Sequence, residues 1–147
     1  MTFPRKSSSP QPPAGSTIGP AVPHAPEEPH IVQNTIDAVI AACDALSLQG
    51  SQAGAQAIAR LLSLAETRDS GQISRIARFL AATYNGQAFQ LDLFELRAVD
   101  IAISNDMLCC LDALRWGRAD LHTLIPDGDD RVRAVIARWG LRWPNDA

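Results

Sequence analysis

Apolar positions recur along the chain with a period near 3.6, which predicts helices and no strands. From about His30 to Ser47, the stripe Val32, Ile36, Val39, Ile40, Cys43 and Leu46 reads as the buried face of a first helix, with Gly50 as its end. Ser51 then stands as a candidate N-cap for a second helix carrying Ile58, Leu61, Leu62 and Ala65. After the loop Thr67 to Ser70, Asp69 with Gln72 three residues on has the form of a capping box. The helix it opens aligns Ile73, Ile76, Ala77, Leu80 and Tyr84, and Asn85-Gly86 stops it.

The next pattern is the widest. Asp92 supplies an N-cap oxygen and Glu95 a carboxylate three residues later, and a helix can then run to Trp116 with Gly117 after it. Leu93, Leu96, Val99, Ile103, Met107, Cys110, Leu111 and Leu114 line one side, and Phe94, Ile101 and Leu108 widen the arc beyond half the circumference. An arc that wide predicts a helix covered on several sides, the centre of the molecule. Arg97, Asp100 and Ser104 fall inside it, so they are expected to be buried polar residues, with Asp100 paired to Arg97, Arg75 or Arg78. A short turn over Leu121 to Ile125 precedes a last helix, capped by Asp127 or Asp129, carrying Val132, Val135, Ile136 and Trp139 and ending near Gly140. The fold predicted is all-α: a four- to five-helix bundle with a long central helix.

Composition divides the 147 residues in two. Eight of the ten prolines lie in residues 1–29, which hold almost no large apolar side chain and are expected to be a disordered tail. Pro20, Pro23, Pro26 and Pro29 recur every third residue, the period of a polyproline II ridge, which serves as a stiff spacer or as a ligand for an aromatic groove. Residues 30–147 are the size of one domain. No uninterrupted apolar run approaches the length of a membrane span, and no apolar stretch follows Arg5 and Lys6 as in a secretory signal. Three cysteines, two of them adjacent, are expected to be reduced thiols in a cytoplasmic protein, with Cys43 and Cys110 in the core.

The net charge of −3 argues against wholesale nucleic-acid binding, though not against a local basic patch. Twelve of the thirteen basic residues are arginine, a bias that suggests a GC-rich bacterial genome. Asp127, Asp129 and Asp130 do not make a calcium loop, because Arg131 and Arg138 occupy positions that need oxygen ligands. His24, His30 and His122 are too dispersed for zinc. With no nucleophile-and-base pair and no phosphate loop, no catalytic residue, metal or cofactor is assigned and the chain is not read as an enzyme. An enzyme using Asp100 is the third reading.

Two surface readings remain. Gln72, Ser74, Arg75 and Arg78 have the look of a recognition helix in a helix-turn-helix regulator, although Thr67 stands where that motif has alanine. Arg115, Trp116, Arg118, Arg138, Arg142 and Trp143 are better candidates: they belong to a stretch with six arginines against four aspartates, and Trp and Arg are the usual anchors of protein interfaces. The function expected is a non-catalytic accessory or inhibitory protein that binds a protein partner there, with a homodimer compatible and no membrane.

Tyr84-Asn85 closing a helix, Val99-Asp100, Ala102-Ile103 and Asp106-Met107 in the following one, and Trp139 near the end of the last give Phe79 to Gly140 a resemblance to small all-helical proteins of unknown role encoded on bacterial plasmids and integrative elements. The resemblance implies a cargo protein of a mobile element that binds and blocks host machinery, defence systems included. It carries no catalytic residues to transfer.

Overall fold

In the computed structural model, residues 10, 14–15, 19, 28–117 and 119–145 are described. The expected tail and its proline ridge fall almost wholly outside them. The first two predicted helices are one: α1 runs Glu28–Thr67, about 60 Å at the α-helical rise. A glycine inside a helix costs about 1 kcal/mol relative to alanine, and Gly54 offsets it through packing. A Cβ on Gly54 would lie 2.3 Å from that of Ala113, and one on Gly50 would lie 3.5 Å from that of Trp116. The missing side chain of Gly54 therefore admits a neighbouring helix, and because α1 runs unbroken through residue 50, Gly50 is no terminus and Ser51 caps nothing.

α2 spans Gly71–Tyr84 and buries Ile73, Ile76, Ala77, Phe79, Leu80 and Ala81. The expected capping box is absent. Ser70 is the N-cap residue without a side-chain bond, Asp69 is paired with Arg138 at 2.9 Å, and Gln72 reaches Asp100. Asn85 closes the helix: its N–H donates to Ala81 O, and its Oδ1 accepts from the N–H groups of Gln87 and Ala88.

The long helix predicted over 92–116 is broken. Asp92 does accept from Phe94 N at 2.9 Å, but it opens a short 3₁₀ helix, Leu93–Arg97. Glu95 turns away to Arg75 and Arg78, Asp100 adopts extended backbone as N-cap, and α3 begins afresh at Ile101–Trp116. α3 buries Ile103, Met107, Cys110 and Ala113 against α1, to which it runs antiparallel, with Asp106 opposite Arg60 and Trp116 opposite Gly50. Gly117 must be glycine, since a Cβ there would meet Ala113 O at 2.3 Å.

A 3₁₀ turn, Leu121–Leu124, leads to α4, Gly128–Arg138. Gly128 is buried so closely under His122 O that a Cβ would lie 1.9 Å from it. After α4, Gly140 takes φ 63° and Leu141 N donates to Ile136 O, the wrapped-back ending that favours glycine. Among the described residues no strand occurs, and the molecule is an all-α bundle.

The centre is the second half of α1. Ala57, Ile58, Leu61, Leu62 and Ala65 are at most 1% exposed, and α2, α3, α4 and the second 3₁₀ turn all pack on this half. The expectation of a wrapped helix over 92–116 is thereby corrected: Leu93, Phe94, Ile101 and Leu108 are exposed. The first half of α1 is corrected too. Its stripe faces solvent, from Val32 at 54% to Leu46 at 40%, and Cys43 is exposed, so residues 28–49 form an arm projecting about 30 Å past the end of α3. By length and composition alone His30–Thr67 is long and apolar enough to cross a membrane, although no uninterrupted apolar run within it approaches a span.

Candidate functional site

The five described residues of the expected Trp/Arg patch do not come together in one place. Arg115 and Trp116 end α3. Arg115 Nη2 donates to Asp112 at 2.8 Å, and its guanidinium lies 4.9 Å from the centroid of the Trp116 ring, a cation–π pair beside Gly50 of α1. At the far end, Arg138 holds Asp69, and Trp139 Nε1 donates to Ala65 O at 3.0 Å. Gly50 and Ala65 are fifteen residues apart on α1, about 22 Å. Arg118 lies outside the described residues.

Trp143 is no free anchor. Half-buried, it meets Phe89 edge-on at 4.8 Å and Tyr84 at 6.3 Å. Arg142 is exposed at the rim of a hollow formed by Arg78, Ala81, Ala88, Phe89, Gln90 and Leu141. Nearby, Tyr84 donates its hydroxyl to Asp129 at 2.5 Å, and Arg133 donates to both. The bond to Asp129 raises the Tyr84 pKa above its ordinary value of 10.0, and the same bond lowers that of Asp129. This end of the bundle is knitted together internally.

None of the three residues expected to be buried and polar is buried. Asp100 is exposed, its carboxylate accepting from Gln72 Nε2 at 2.9 Å while its N–H donates to Gln72 Oε1 at 3.1 Å. Arg97 is exposed and stacks 4.7 Å from the Phe94 ring, and Ser104 is half-buried. No charged side chain is buried among the described residues, so the internal ion pair is replaced by a surface clasp. The four side chains of the recognition-helix reading are also occupied: Gln72 by Asp100, Arg75 and Arg78 by Glu95, Ser74 by Gly71 O.

What the structure does assemble is an apolar outer face along α3. Ile101 is 81% exposed and Leu108 50%, and both point away from α1. With Leu96, Arg97, Val99 and Ser104 they line an open hollow beside the exposed Leu93 and Phe94. A second hollow continues from Leu108 past Leu111 and Asp112 to Arg115. The face thus runs from the 3₁₀ helix to the Arg115–Trp116 pair. Of the expected contact residues only those two belong to it. The signal for the rest was present in the over-wide arc of 92–116, which has more apolar positions than one covered face needs. Cys110, on the buried side of this helix, has its thiol pushed up to about 12 by burial and stays protonated. Among the described residues no three His, Cys, Asp or Glu side chains converge as metal ligands would.

Fold and surface define a small all-α bundle with an apolar flank. By sequence the chain belongs to a family of unknown function, DUF7673, whose model matches residues 55–140. The match takes in α1 from residue 55 onward, earlier than the resemblance from Phe79, and leaves the arm outside. No curated protein and no solved structure matches the chain.

Proposed function

We propose that this protein performs no chemistry of its own and acts by binding another protein through the outer face of α3. The observation that supports this reading is the line of exposed apolar side chains, Phe94, Ile101 and Leu108, ending on the Arg115–Trp116 pair. Soluble domains seldom leave such a row uncovered without a use for it. The ring-stacked arginine at its end is of the type that anchors interfaces. The likeness to plasmid and integrative-element proteins suggests a component of host machinery as partner, with the bound protein inhibited.

Tagged wild-type chain and its Leu108→Asp and Ile101→Asp variants would be used to capture partners from the native host. Both side chains are exposed, so the variants keep the wild-type melting curve. A protein retained by wild type and lost with both variants supports the reading. The same captured set from all three chains would sink it.

A further inference from the structure

The arm of α1 presents a second apolar surface, separate from the face of α3. Val32, Ile36, Val39, Cys43, Leu46 and Gly50 follow one another in alternating steps of four and three residues, the spacing of a coiled-coil seam. The same side of α1 continues to Gly54 and Ala57 and is there covered by α3, which runs antiparallel and stops at Trp116 against Gly50. The bare stripe is thus the direct continuation of a helix–helix contact whose second member runs out.

We propose that a second copy of this chain covers the stripe, the two α1 arms pairing antiparallel about a two-fold axis that crosses the seam between Val39 and Cys43, level with Ala41. Three features favour this occupant. The bare part of the seam is self-complementary: Ile36 with Leu46 and Val39 with Cys43 are both centred on Ala41, so each meets its counterpart across the axis, as an isologous contact requires, while Val32 of the second arm abuts the end of α3 at Trp116. The second arm would run in the same direction as α3 and start where α3 ends, so that α1 is flanked by helix along its length. No charge opposes the pairing, since Asp37 and Asp44 lie on the side of the arm away from the seam, and Gln33, Thr35, Ile40, Ala42, Ser47 and Gln49 flank it. A lipid surface fits less well: no Lys or Arg occurs between Glu28 and Ala59 to meet its headgroups, and two carboxylates within the arm oppose insertion.

Sedimentation of the full chain at micromolar concentration is expected to give twice the 15.8 kDa chain mass. Ile36→Asp should return it to the single-chain mass with an unchanged core melting transition, while Leu108→Asp, on the other face, should leave the dimer intact. Orientation is read by mild oxidation in a Cys43→Ser background. Ile36→Cys combined with Leu46→Cys should give roughly tenfold more covalent dimer than either single variant, because only the antiparallel register brings these positions within disulfide reach. A single-chain mass for wild type, a dimer that survives Ile36→Asp, or flotation with phosphatidylcholine vesicles instead of dimerisation would each overturn the proposal. So would single variants that cross-link as well as the double.

Discussion

Gln72 at the start of α2 and Asp100 before α3 hold each other by two hydrogen bonds, one amide serving both the carboxylate and the backbone N–H of the aspartate. This clasp lies at the break between the 3₁₀ helix and α3.

Gln72→Ala removes both bonds. Each exposed hydrogen bond contributes about 0.5–1 kcal/mol, so the variant should lose roughly 1–2 kcal/mol in urea unfolding with its slope unchanged. A variant as stable as wild type would show that the α2–α3 junction is set elsewhere.

Gly50 and Gly54 should respond with opposite signs to alanine. At Gly50 the added Cβ meets Trp116 at an ordinary 3.5 Å, and helix propensity gains about 0.5–1 kcal/mol. At Gly54 it falls 2.3 Å from the Ala113 Cβ, and overpacking costs about 1–3 kcal/mol, more than the gain. Thermal melts of the two variants should therefore shift up and down respectively. Destabilisation by Gly50→Ala would restore Gly50 as a helix end.

These glycines mark what could be read from the chain alone. The stripes of α2, α3 and α4 and the endings at Asn85 and Gly140 follow from periodicity and turn chemistry, because both are local. Periodicity tells which side of a helix is apolar, not whether a neighbour covers it. The identical seam on α1 is therefore buried at Ala57 and bare at Val39. At the break, Asp100 is bonded to Gln72, a side chain from another helix that local periodicity does not reveal. Trp116 and Trp139 are close in sequence yet lie at opposite ends of the bundle, because the chain returns along α1 before α4 ends.

Tyr84 is the single tyrosine, so its phenolate absorbance reports one group, and the titration midpoint should lie above 10.0. A raised folded-state pKa stabilises the protein below 10.0 and is lost as pH climbs through it; the lowered Asp129 stabilises above 3.8 and is lost as pH falls through its folded value. Tyr84→Phe keeps the ring against His122 and Trp143 and should flatten both limbs of the melting-temperature profile. An unaltered profile would show that the Tyr84–Asp129 bond does not persist in solution.

The three thiols should separate by reactivity. Cys110 is buried, and its pKa of about 12 leaves almost no thiolate at neutral pH, whereas Cys43 is exposed and Cys109 half-buried. Because the thiolate is the reacting species, alkylation of the Ile36→Asp chain, whose arm is left uncovered, should under native conditions modify Cys43 first, Cys109 more slowly and Cys110 only on unfolding. Mass spectrometry of the digested, labelled chain checks the order. Native labelling of Cys110 at the rate of Cys109 would mean that α3 lifts from α1, and the packing at Gly54 and Ala113 would have to open with it.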